Sequence, residues 1–117
     1  MKFAISAAIS AVLFSGAVAA QEVKQLTQDE AVAFLKGKEL DGVNPRWSAR
    51  FSFKDDGSLS GSGSAGSDSG TYTIEEGQLC LKWTRRWQSK CGRLIKVTDG
   101  PVSQILDDGS VWVTFKN

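Results

Sequence analysis

The stretch Lys82-Trp83-Thr84-Arg85-Arg86-Trp87-Gln88-Ser89-Lys90 sets four cations beside two indoles. Arginine and tryptophan are enriched where interfaces concentrate their binding energy, so the chemistry on offer is recognition of an anionic or amphipathic partner. The charge is local: over residues 69–98, Lys82, Arg85, Arg86, Lys90, Arg93 and Lys96 face only Glu75 and Glu76, while the whole chain carries a formal net charge of +1. A plainer reading stands beside this one. Trp83 shares the alternation of Leu79 and Leu81 and belongs in a core, and the cations then form a solvated face. Trp87, Arg85 and Arg86 are the residues that reading leaves exposed. Trp83, Arg85, Arg86, Trp87 and Lys90 are therefore the candidate binding residues.

Other chemistries have weaker support. The chain has 117 residues and no histidine, which removes Ser-His-Asp and Cys-His catalysis and histidine-ligated metals. The Gly-rich phosphate cradles are absent as well. Asp55/Asp56, Glu75/Glu76 and Asp107/Asp108 each immediately precede a glycine between apolar strand ends. That is turn chemistry, whereas glycoside hydrolysis needs two carboxylates across a cleft. The hydroxyls of Ser60 to Ser69 have no base to activate them. No catalytic residue, cofactor or metal site is expected, and the chain is read as not an enzyme.

These residues need a frame. Thr27 with Glu30 three positions on is a capping box, Ala31, Phe34 and Leu35 form an apolar stripe, and Gly37 can end the helix. Such a short amphipathic helix is suited to covering the open end or edge of a sheet. Beyond it the period becomes two, most clearly at Trp47, Ala49, Phe51 and Phe53. Strands are predicted over 38–43, 46–53, 58–64, 70–75, 78–84, 89–97, 102–107 and 110–115. Sequential strands with short connections form an antiparallel meander, and about eight of them hide their edges best by closing into a small up-and-down barrel. The fold class is mainly β with one short N-terminal helix. Leu59, Gly61, Gly63 and Ala65 share one parity, and their small members leave room for Trp47, Phe51 and Phe53. Consecutive turns point opposite ways. Turns 54–57, 75–77 and 98–101 fall at one tight, acidic end. Asn44-Pro45, a looser Gly/Ser segment around 62–69, the Thr84 to Ser89 loop and Asp107 to Gly109 fall at the other, where a binding rim belongs. The aromatic volume favours a packed interior with a surface site.

A four-residue loop over Thr84 to Trp87 places residue 83 opposite 88, and hence Cys80 opposite Cys91. A disulfide follows, worth roughly 2–3 kcal/mol for so short a loop. A redox or metal-binding thiol pair would call for C-x-x-C spacing or further soft ligands, and neither is present.

Met1-Lys2, the apolar run Phe3 to Phe14 and the small residues Ala17-Val18-Ala19-Ala20 read as a secretory signal over residues 1–20, leaving one domain over 21–117. The run is too short to span a bilayer. The expected compartment is periplasmic or extracellular, which suits the disulfide. Export disfavours nucleic acid as the partner of the Trp/Arg stretch.

Gly70-Thr71-Tyr72-Thr73-Ile74, Gly77-Gln78-Leu79-Cys80-Leu81-Lys82-Trp83 and the later Cys91 resemble a group of small secreted alphaproteobacterial proteins with a Gly-x-aromatic strand, a Leu-Cys-x-x-Trp strand and a downstream cysteine. The resemblance covers about residues 50–115. It implies export, a disulfide and a small β fold, and supplies no catalytic residue. The avidin- and lipocalin-like binders are an analogy of architecture. The expected function is that of an exported monomeric binding module whose loop end around Trp87 meets an anionic or amphipathic envelope lipid or glycan. The alternative is an inhibitor that inserts the stapled hairpin tip into an exported hydrolase.

Overall fold

The computed structural model describes residues 22–116, so the signal assigned to residues 1–20 lies outside the described residues. The chain begins with strand β1 (Val23–Gln25) and helix α1 (Gln28–Leu35). It continues as β2 (Lys38–Asn44), β3 (Trp47–Phe53), β4 (Ser58–Gly63), β5 (Gly66–Glu75), β6 (Gln78–Trp83), β7 (Lys90–Val97), β8 (Val102–Ile105) and β9 (Val111–Lys116).

The capping box forms: the Thr27 hydroxyl accepts from the Glu30 amide at 3.2 Å, and the Glu30 carboxylate accepts from the Thr27 amide at 2.9 Å. Gly37, with φ +76°, turns the chain out of the helix into β2. From β2 onward each strand pairs antiparallel with the next, and β9 returns to β2 with Gly42 opposite Phe115. The meander is a closed eight-stranded up-and-down barrel, and closure leaves no edge among β2–β9 unpaired along its whole length.

Two features depart from the sequence reading. The Gly/Ser tract is no loose loop: β4 and β5 pair from Ser58↔Thr71 to Gly63↔Gly66, joined by a two-residue turn at Ser64-Ala65. Its serines alternate with residues that point inward, and the tract lacks the apolar side chains from which strands are usually recognised. The unanticipated β1 pairs with β7 through Val23↔Val97, beyond the last β6 pairing at Gln78↔Arg93. Three exposed residues carry no readable period.

The interior is filled. Phe51, Phe53, Leu79, Leu94, Val113 and Phe115 are fully buried. Phe53 meets Tyr72 edge-on at 5.1 Å, and Phe51 meets Phe115 at 5.8 Å. Gln104 crosses this core from β8, donating to the Leu79 carbonyl of β6 at 2.9 Å. Its path runs over Gly92, where a Cβ would stand 2.9 Å from the Gln104 Cγ.

The two ends differ. At the end of turns 54–57 and 76–77, α1 buries Ala31 and Leu35 completely and sets Phe34 against Phe115 at 6.2 Å. Gln28 fastens it there, accepting from the Gly77 amide and donating to the Ile74 carbonyl. Among the described residues no helix covers the opposite end, where the 84–89 loop and turns 45–46, 64–65 and 106–110 meet.

Candidate functional site at the open end

All four tryptophans of the chain gather at this end, around a cleft of about 670 Å³. Trp47 enters from the first residue of β3 and Trp83 from the last residue of β6. Trp112 is the extra residue of a bulge: Ile105 pairs with Val111 and Gln104 with Val113, so Trp112 has no partner across the ladder. Trp87 comes from the 84–89 loop. The rings form two edge-to-face couples, Trp83–Trp87 at 4.8 Å and Trp47–Trp112 at 6.1 Å. Phe51 forms the floor between them, 6.1 Å from both Trp47 and Trp83.

The loop bearing Trp87 folds inward, and Asp68 is the reason. This residue faces the interior from β5 and is 5% exposed. Its Oδ2 accepts from the backbone amides of Arg85, Arg86 and Trp87 at 3.3, 2.8 and 3.0 Å, and its Oδ1 accepts from the Ser69 amide at 2.7 Å. These bonds favour the ionised form, the Trp87 amide most, and hold the carboxyl at about 2 against the opposing effect of desolvation. The Trp87 indole then lies over Gly61, where a Cβ would stand 2.5 Å from the ring. The space at Gly61, expected to serve Trp47, Phe51 and Phe53, is taken by Trp87 and Trp83, whereas Gly63 lets the backbone of Ser48 and Ala49 come close. Trp87 is half-buried and its Nε1 points at the Ala65 carbonyl of the β4–β5 turn, 3.4 Å away. The indole is therefore part of the cleft wall and does not stand on a projecting tip.

Of the candidate binding residues, Trp83, Arg86, Trp87 and Lys90 meet at the cleft. Lys90 follows the inward alternation of β7 and places Nζ 5.0 Å from the Trp112 ring centre, a cation–π distance. Arg85 is separate. It borders a groove of about 460 Å³ on the outer face of β3–β5, together with Arg50, whose guanidinium is already paired with Asp41 at 2.8 Å. Trp47, Trp112 and Arg46 also line the cleft and were missed. All three adjoin the turns assigned to the loop end, so sorting strand residues by their distance from those turns would have found them.

A third depression, of about 720 Å³, runs beside α1. Two of its lysines are occupied, Lys24 by Glu30 and Lys38 by the Ala33 carbonyl. The acidic pairs form turns. Asp56 accepts from the amide and hydroxyl of Ser58, Asp108 does the same with Ser110, and Gly57 and Gly109 have φ of +91° and +88°. Among the described residues no three His, Cys, Asp or Glu side chains cluster as metal ligands would.

Cys80 and Cys91 are bonded and stand opposite each other in the β6–β7 ladder. The pairing follows the expected register, although the connection runs over six residues and the ladder ends at Leu81↔Lys90. The disulfide lies on the outer wall below the loop and fits an oxidising compartment. Comparison with protein-family models, curated proteins and solved structures gave no match for this chain.

Proposed function

We propose that this chain is an exported, periplasmic or secreted, non-enzymatic binding module that engages an anionic or amphipathic envelope partner through the open end of its barrel. One observation carries the reading: every tryptophan of the chain lines a single cleft whose rim holds Arg46, Arg86 and Lys90 against Asp108. Indoles offer a large apolar surface with little conformational entropy to lose, and a rim of fixed cations selects the sign of what enters. A closed barrel with a stapled hairpin holds those groups in place before the partner arrives. The inward fold of the 84–89 loop also favours a partner that comes to the cleft over insertion of this loop into an enzyme.

The test is retention on the immobilised mature chain of lipid, glycan and soluble-protein fractions prepared from the cell envelope. Retention of lipid or glycan that is lost in Arg86→Ala/Lys90→Ala supports the reading. Retention of no fraction overturns it, as does retention that the double substitution leaves unchanged. Stoichiometric capture of one soluble hydrolase with loss of its activity would replace it with the inhibitor reading.

A further inference from the structure

Hydrogen-bonding groups at the cleft are unequally committed. Asn44 donates to the Trp112 carbonyl and accepts from the Arg46 amide, and Asp108 holds Ser110 through one oxygen. The side chains of Arg46, Arg86, Gln88 and Lys90, in contrast, make no hydrogen bond or ion pair among the described residues. What the rim still offers is mostly donors, three of them cationic. A partner that presents donors and acceptors in equal number, as a neutral sugar does, would leave its own donors poorly matched. A carboxylate, phosphate or sulfate would match well.

The apolar part is equally selective. The two indole couples face each other across Phe51, and Trp83 is only 8% exposed. Groups that anchor a protein to a bilayer must protrude, as interfacial tryptophans do. Among the described residues the exposed large apolar side chains are Val23 and Val111, and only Val111 belongs to this end. Trp83 is buried and Trp47, Trp87 and Trp112 are half-buried, so the apolar surface is recessed, which suits a single molecule entering between the couples better than a flat membrane surface. The cleft volume falls within the range of roughly 300–1,000 Å³ usual for small-molecule sites.

We infer that the open end takes one monomeric anionic amphiphile, its single apolar body between the Trp47–Trp112 and Trp83–Trp87 couples and its acceptor-only head on Arg86, Lys90 and Arg46. This inference rests on the binding reading above and narrows it to a soluble, single-headed ligand. The shared chemistry is an anionic head on an apolar chain, whether free in solution or drawn from a membrane lipid.

The probes are dodecanoate, dodecyltrimethylammonium and dodecyl maltoside, each below its micellar concentration, and vesicles of dioleoylphosphatidylglycerol. Binding to the full mature chain is followed by calorimetry and by tryptophan emission. Dodecanoate should bind one to one, at least about tenfold more tightly than the neutral and cationic chains of equal length. Arg86→Gln/Lys90→Gln should abolish that preference while circular dichroism and the disulfide remain unchanged. Equal binding of all three detergents overturns the choice of head. Binding of vesicles without dodecanoate overturns the monomeric ligand and leaves the wider binding reading standing. If no probe binds while an envelope fraction is still retained in the Arg86/Lys90-dependent way, this inference fails alone; if neither occurs, both fail.

Discussion

The Asp68 carboxylate accepts from three consecutive backbone amides across the barrel mouth, and no other side chain among the described residues fixes the 84–89 loop so extensively. Its folded value of about 2 lies below the ordinary carboxylate range, so its stabilising effect is present above that range. The effect is lost as pH falls from about 4, the unfolded value, towards the folded one. The cleft should keep its shape from neutrality to that point. Asp68→Asn replaces one acceptor with a donor facing amides that need acceptors. At pH 7 the variant should show faster amide exchange at residues 85–87 and a more solvent-like Trp87 emission, while the β2–β3 ladder keeps its protection. Unchanged exchange at those three amides would show that the loop is held by something else. Asp68 was invisible to sequence reasoning because its partners are backbone amides, which every non-proline residue supplies. A carboxylate that recognises them leaves no complementary pattern seventeen to nineteen residues away.

Among the elements, those governed by local rules were legible. The Thr27/Glu30 box, the acid-Gly turns and the register that opposes Cys80 to Cys91 all follow from spacing within one connection, and each forms. The β4 strand was legible, but β5 begins at Gly66 and not at residue 70, because its first inward positions hold glycine and Asp68 where alternation is normally recognised by apolar side chains. Trp112 was missed because a bulge moves it out of the simple alternation. The same local character makes the elements testable one at a time. Thr27→Ala removes the acceptor of the Glu30 amide and should cost about 1 kcal/mol. Reducing the disulfide should cost roughly 2–3 kcal/mol through the freedom returned to the unfolded chain. Both are read as shifts in the denaturant midpoint. The slope should stay constant for Thr27→Ala, because neither folded state exposes new core.

At the scale of the whole molecule, the barrel has one stoppered end and one open end, joined by a core of interlocking rings. That division sets the helix cap and the proposed binding cleft at opposite ends of the barrel. Thr27 and Gly61 illustrate it. The first caps α1, and the second provides the space into which Trp87 folds, with no partner in common. Gly61→Val would force a side chain to within 2.5 Å of the Trp87 ring and 3.0 Å of Trp83, so the indole must leave its seat. Overpacking of this kind costs about 1–3 kcal/mol. If the ends are independent, the losses from Thr27→Ala and Gly61→Val should add to within about 0.5 kcal/mol in the double variant. Their effects on the cleft should differ completely: Thr27→Ala should leave tryptophan emission and dodecanoate affinity unchanged, and Gly61→Val should shift the first and weaken the second. A coupling energy above about 1 kcal/mol would mean that the core transmits strain between helix and mouth, because close-packed interiors pass displacement on from ring to ring. The Phe34–Phe115–Phe51–Trp87 series of ring contacts, each 5.8 to 6.4 Å between centres, is the route such strain would follow. Phe115→Leu would interrupt that route, so any coupling should fall towards zero in its background.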